Sequence, residues 1–345
     1  MRLLFILGPY RPGQCGVSDY VRLLSERLEG LGHECMRMSV DPRVGATLAT
    51  TADSLPPCDA VSLQFAPYAF HPKGLPGQGL QSLAKALAGR HLQVMFHEIW
   101  IGAYPQSTWR ERWIGGRQRH QILSFLETAQ PFAVHATNAA ALNRLDLMGV
   151  EAEYLYLFGN IPWAEAPSAR MDADPVAHIA FFGTPYDTFP YDLLFERLVE
   201  TFTAMKRPWN IRMLGHVREK TGLRKLHREA GKHGITVEET SRLTSEELSH
   251  ELQFADCGVA TTPYDVLGKS GAAAAMLEHG LPIYAYDDGD TPKDSLFVFE
   301  PFQDQIFLLN DPKSSEQLIK STQQLPKPFF NGVAHTADKF IEAII

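Results

Sequence analysis

What this chain lacks narrows it before anything it contains. Its four cysteines, Cys15, Cys35, Cys58 and Cys257, include no Cys-x-x-Cys pair. That removes zinc-ribbon and thioredoxin-like chemistry and a disulfide-stapled fold, and free thiols in a reducing compartment are the expectation. No apolar run reaches the ~18 residues that span a bilayer. The start, MRLLFILGPYRPG, is broken too early for a secretory leader and reads as a first strand. There is no basic excess: the net charge is −8, so general attraction to nucleic acid is not expected. No His, Cys and carboxylate cluster has metal-ligand spacing. Two phosphate-binding signatures are missing as well. The loop GPYRPGQCGVSDY after the first apolar run is not GxGxxG. Gly268-Lys269-Ser270 looks like the end of a P-loop, but Pro263 stands where that motif needs its first glycine.

What is present is an ordinary soluble composition, 45% hydrophobic and 21% charged, over 345 residues, a length that suits about two domains. Short apolar runs alternate with amphipathic stretches. RLLFIL (2–7), HECMRMSV (33–40), DAVSLQF (59–65), LQVMFHE (92–98), FAVHAT (132–137) and AEYLYLF (152–158) read as strands, with a helix over 17–32 and helical segments between most of the others. NIPWAEAPSARMDADP (160–175) has three prolines and no periodicity and reads as a linker. Alternation then restarts: strands at 177–184, 210–215, 235–239, 257–262 and 282–287, and helices at 191–205, 218–234, 244–255 and 270–280. The helix at 244 opens with a capping box, Thr244 to Glu247. Strands alternating with helices imply parallel sheets. The expectation is α/β: two doubly wound Rossmann-like domains facing each other across a cleft, at 1–165 and 166–328, with a last helix at 329–345 returning to the first.

Ligands of such sheets sit at the carboxyl ends of the strands, which selects a few loops. Gly8, Gly13 and Gly16 lie in the first, either admitting a ligand or merely making a long turn. His97 and Glu98 end the fourth strand; a histidine there can exchange a hydrogen bond or proton with a sugar hydroxyl or phosphate, or can be a satisfied structural group. Leu214-Gly215-His216, with Arg218 beyond, follows a later strand; the arginine can pair with phosphate or sit on a helix surface. Ser270 and Gly271 open a helix whose free N–H groups favour an anion, unless Ser270 is only a cap. Trp109 and Trp113, among Arg110, Arg112, Arg117 and Arg119, give 107–120 the composition of a peripheral membrane contact or of an ordinary solvated helix.

In this order the segments resemble retaining glycosyltransferases of the GT-B fold, close to family 4. GVSDYVRLLSERLEGLGHEC, MFHEIW, IAFFGT, GITVEETSRLTSEELSHELQFADCGVATTPYD and LEHGLPIYA carry the resemblance, which spans nearly the whole chain. It implies a nucleotide-sugar donor held mainly by the second domain and a sugar, lipid-linked glycan or other hydroxyl acceptor at the first. It further implies hexosyl transfer with retention, and no cofactor or metal. His97, Glu98 and Lys269 become the catalytic candidates. Donor contacts are implied for Gln14, Cys15, Gly16, Gly183, Thr184, Gly215, His216, Arg242, Leu243, Tyr264, Lys269, Ser270, Gly271, Ala272 and Glu278. The expected location is cytoplasmic, with the inner membrane surface as the alternative. Three departures stand out. The family's paired glutamates fall at Leu267 and Ala275, and GTPYDTFPYD lacks its Arg and Lys. Glu278, one turn after Ala275, is then the substitute for the ribose contact, and Lys269 for the phosphate charge, with Arg212, Arg218 and Arg242 behind it. A non-catalytic nucleotide-sugar-binding protein of the same fold is the alternative.

Overall fold

The structure is a computed structural model. It describes residues 1–41, 47–165, 175–215, 217, 220–240, 242–288, 302–322 and 329–344. Two compact units make up the chain: Met1–Tyr156 with Val333–Ile345, and Leu157–Gly332. Most of the linker expected over 160–175 lies outside the described residues.

The first unit runs β1 (Arg2–Leu7), α1 (Gly16–Gly30), β2 (Glu34–Ser39), α2 (Leu48–Asp53), β3 (Ala60–Phe65), α3 (Pro67–Phe70), α4 (Gly77–Leu87), β4 (Leu92–Phe96), α5 (Trp109–Ala129), β5 (Ala133–Ala136), α6 (Ala139–Asp146) and β6 (Glu153–Tyr154). Its six strands pair in parallel in the order β2-β1-β3-β4-β5-β6. Alternate residues explain the layering, because successive side chains on a strand point to opposite faces. Val61, Leu63 and Phe65 of β3 and Val94 and Phe96 of β4 join Leu80, Leu83 and Leu87 of α4 and Ile122 and Phe125 of α5 in one core. The residues between them face the other way. There Phe5 stacks on Phe340 with ring centroids 5.8 Å apart. That face breaks the usual rule that a parallel strand is apolar on both sides: Ser62, Gln64, Gln93 and His135 are buried in it.

The second unit runs β7 (Ala177–Phe182), α7 (Tyr191–Ala204), β8 (Trp209–Leu214), α8 (Lys220–Lys232), β9 (Val237–Glu239), α9 (Ser245–Phe254), β10 (Cys257–Val259), α10 (Gly271–Glu278), β11 (Ile283–Ala285), β12 (Ile306–Leu308) and α11 (Ser314–Thr322); α12 (Gly332–Ile344) closes the chain. The strand order is β12-β11-β10-β7-β8-β9, again all parallel. Phe181, Leu194, Phe195, Leu198, Ile211, Met213, Val259 and Tyr284 lie in its core. The capping box read at α9 forms: Thr244 Oγ1 accepts from the Glu247 N–H at 3.2 Å, and Glu247 Oε2 accepts from the Thr244 N–H at 2.7 Å. Each sheet reverses its winding once, between β1 and β3 and between β7 and β10. Those reversals open crevices at the carboxyl ends of the strands.

Phe340, 1% exposed, brings α12 into the buried interior of the first unit. Phe340→Ala should cost about 3–5 kcal/mol of stability, as buried Phe truncations do, measured by urea unfolding followed at a probe in the first unit.

Candidate functional site

The crevice of the second unit is built from backbone. β7 ends at Phe182, and Gly183 turns the chain with a φ of +102°. A Cβ there would lie 3.0 Å from the Ala272 Cβ, so only glycine lets this loop lie against the start of α10. From the other side of the reversal, Thr261 Oγ1 donates to the Thr184 carbonyl. The loops after β7 and β10 are thus tied together over the first turn of α10.

That first turn has specific vacancies. Ser270 caps the helix, its Oγ accepting from the Ala273 N–H at 3.2 Å. Its own N–H donates to the Leu267 carbonyl at 2.9 Å, so Ser270 does not offer a backbone donor as the sequence suggested. Among the described residues the donors left for an anion are the N–H groups of Gly271 and Ala272. A Cβ on Gly271 would meet nothing within 4 Å. Lys269 ends a 3-10 turn over Tyr264–Lys269, is exposed, and has no ion pair among the described residues. Positive charge and unclaimed N–H groups therefore meet at one helix end, an arrangement that favours an anion.

The other donor-site candidates separate around this point. Gly215 donates its N–H to Thr240 Oγ1 at 3.1 Å. Tyr264 donates its N–H to the Tyr286 carbonyl at 2.9 Å, and burial with Asp287 nearby pushes its phenol up to about 12. Arg242 is exposed and Leu243 half-buried, just ahead of the α9 cap. His216 and Arg218 lie outside the described residues. Arg212 is committed elsewhere, at 2.6 Å from Glu251 and 3.6 Å from Glu238.

The two positions where the resemblance puts glutamates are closed. Leu267 and Ala275 are fully buried. A Cβ on Gly159 would fall 2.6 Å from the Ala275 Cα, so the chain's own backbone occupies the space beside α10. Glu278, the substitute expected for the ribose contact, lies inside. It is 2% exposed, and its Oε1 accepts from the Gly159 N–H at 2.9 Å. Its carbonyl accepts from the Phe330 N–H at 2.9 Å. This carboxylate is bonded to the chain's own backbone.

In the first unit His97 stands at the carboxyl end of β4, its N–H donating to the Phe65 carbonyl at 3.0 Å. The side chain is 5% exposed. Its Nε2 is 2.8 Å from Gln64 Oε1, and the Tyr20 ring meets it edge-on at 5.2 Å. Nδ1 is buried with no hydrogen-bond partner among the described residues. Burial lowers its pKa to about 4, so the ring is neutral at physiological pH. Glu98 points to solvent and does not join it. Gln14 and Gly16 are exposed and Cys15 half-buried, with Cys15 at the α1 N-cap position without a side-chain bond. Their loop is held by residues the sequence reading passed over: Ser18 Oγ accepts from the Arg11 N–H at 2.9 Å, and Asp19 Oδ1 from the Gly13 N–H at 2.7 Å. On α5, Trp109 and Trp113 are 73% and 55% exposed, with Arg110 and Arg117 over their rings at 5.3 and 4.7 Å. No helix among the described residues is long and apolar enough to cross a membrane.

Two doubly wound parallel sheets with flanking helices, each with a reversal crevice, give the chain the GT-B type of fold. Solved structures match it along its whole length. Anabaena Alr3699/HepE, in complex with UDP and glucose, is 14% identical with a TM-score of 0.58, covering 100% of this chain and 99% of that one. The lipopolysaccharide outer core galactosyltransferase WaaB in its apo form is 12% identical with a TM-score of 0.56, covering 99% and 95%. UDP-GlcNAc 2-epimerase from Methanocaldococcus jannaschii is 13% identical with a TM-score of 0.50, covering 99% of each. At these identities the likeness is one of fold. No protein-family model and no curated protein matches the sequence.

The two buried groups give separable expectations. Glu278→Ala strands the Gly159 N–H and should cost about 1–3 kcal/mol, while nucleotide affinity, measured by calorimetry, changes less than threefold. For His97 the folded pKa lies below the unfolded value of 6.5, so the unfolded chain takes up the proton first as pH falls. Stability is full above the unfolded value and drains away toward pH 4. Between pH 7 and pH 5 the wild type should lose about 2 kcal/mol more than His97→Gln, read from denaturant unfolding at each pH.

Proposed function

We propose that this protein transfers a sugar from a nucleotide-sugar donor to a hydroxyl acceptor. The observation that carries the reading is the helix end in the second unit, where Gly183 lies against Ala272, the Gly271 and Ala272 N–H groups are unclaimed among the described residues, and Lys269 is unpaired among them. A diphosphate fits those donors, and UDP-bound structures of the same fold support that choice of ligand. In the transfer, the bond from the sugar's anomeric carbon to the diphosphate oxygen breaks and a bond to the acceptor oxygen forms. The acceptor proton passes to the departing phosphate. Lys269 and the helix end stabilise the charge that builds on the diphosphate, without a metal. His97, neutral and with Nδ1 unpartnered among the described residues, accepts a hydrogen bond from a sugar hydroxyl in the first unit. Retention of configuration belongs to the same reading.

A second reading is favoured by one observation. Leu267 and Ala275 are buried and Glu278 is bonded to backbone, so none of these three positions supplies the carboxylate pair that the resemblance implies. Binding without turnover follows if those groups are indispensable.

The deciding experiment screens UDP-, GDP-, ADP- and dTDP-sugars by thermal shift, then follows hydrolysis of the donor that binds, with and without EDTA. Transfer activity predicts slow hydrolysis unaffected by EDTA, and at least about a tenfold fall in turnover for Lys269→Ala. Tight binding with no hydrolysis above background would establish the second reading instead. Unchanged turnover in Lys269→Ala would remove that side chain from the site.

A further inference from the structure

The polar side chains buried in the first unit's sheet form one connected row. Ser62, Gln64, Gln93 and His135 are each at most 2% exposed. Strand register brings them together: Ser62 pairs with Gln93, Gln64 with Met95, and Met95 with His135. His97 Nε2 lies 2.8 Å from Gln64 Oε1, Gln64 Nε2 is 2.6 Å from Ser62 Oγ, Ser62 Oγ is 2.5 Å from Gln93 Oε1, and Gln93 Nε2 is 3.0 Å from His135 Nδ1.

Chemistry gives the row a direction. An amide oxygen only accepts and an amide nitrogen only donates. Gln64 Oε1 accepts, so the proton of the neutral His97 ring sits on Nε2. Gln64 then donates to Ser62, whose hydroxyl proton goes to Gln93, which donates to His135 Nδ1. Every link points away from His97. The one self-consistent alternative turns both amides over, reverses every link, and puts the proton on His97 Nδ1. That state buries a partnerless N–H donor, which folded proteins tolerate less readily than an unpartnered acceptor. The row ends at His135. His135 lines a cavity of about 580 Å³ together with Glu153 and Tyr154, and burial keeps its ring toward the neutral form.

We propose that Gln64, Ser62, Gln93 and His135 are positioning residues of the His97 site: their one-way hydrogen-bond chain holds the proton on His97 Nε2 and keeps Nδ1 as a fixed acceptor for a ligand hydroxyl. The hydroxyl's being a sugar's rests on the function proposed above; the chain's control of the tautomer does not. Nothing in the chain titrates along it or moves a proton through it. Its work is to remove one of two tautomers, and a ring that spent half its time with Nδ1 protonated would present a donor where the ligand needs an acceptor.

Nitrogen-15 NMR of histidine-labelled full-length protein tests this directly, because the two ring nitrogens report which one bears hydrogen. The wild type should show His97 as a single tautomer protonated on Nε2. Ser62→Ala and Gln93→Met, neither of which touches His97, should each convert it to a mixture of both tautomers. With the nucleotide-sugar found by the screen above, both should lower kcat about tenfold with KM changed less than twofold. A wild-type proton on Nδ1 overturns the proposal. So does an unchanged single tautomer in whichever of the two variants gives a folded spectrum. A tautomer shift in a protein that proves to have no turnover keeps the chain's role and removes the transfer reading.

Discussion

The buried helix Gly271–Glu278 is the constraint on which the second unit's chemistry depends. From Ala273 to Glu278 every residue is buried, and what surrounds the helix is in part its own chain. Gly159 lies against Ala275 so closely that it has no room for a Cβ, and its N–H is held by the Glu278 carboxylate. Both ends of that packing need small groups, which explains the alanine run. It also explains why a carboxylate at position 275 has nowhere to go. A helix enclosed along its length can meet a ligand only at its end. The anion-favouring end is the N-terminal one, where the dipole and the N–H groups left unclaimed among the described residues point the same way.

The first unit works by the opposite device. Its candidate group carries no charge. Burial keeps His97 neutral, and a row of amides and one hydroxyl tells that neutral ring which nitrogen to present. Such a row is costly unless every member is satisfied. Here each link has a partner, and among the described residues the open valence falls at His97 Nδ1, at the carboxyl end of the sheet. One unit therefore offers positive electrostatics from backbone and lysine, and the other an uncharged acceptor of fixed orientation.

Much of the fold was legible because its signals are local. Alternating apolar runs and amphipathic stretches marked eleven of the strands among the described residues in their correct order, and the Ser270 and Thr244 caps and the carboxyl-end loops could be read from side-chain type alone. The edge strand Ile306–Leu308 and the helix Ser314–Thr322 were not read, since three residues and nine carry too little periodicity to stand out. Site residues were harder for a different reason. Whether Glu278 faces a ligand or Gly159 depends on a backbone segment more than a hundred positions away, and Arg212 looked available until Glu251 proved to be beside it. Gln64 and Gln93 carried a signal that passed unused: a glutamine inside a strand otherwise buried on both faces is expensive and calls for a partner.

The stacking of Phe5 on Phe340 has a consequence for the order of events in the ribosome's exit path. The strand that carries Phe5 is made before the second unit, and the helix that carries Phe340 after it. The second unit, Leu157–Gly332, is an uninterrupted stretch and has all its own core before that helix emerges. The first unit does not: one face of its sheet stays without Phe340 until the whole second unit has been made. The unit whose residues appear first is therefore the one completed last, and through that interval its β1 strand, with Phe5, is the surface most in need of cover.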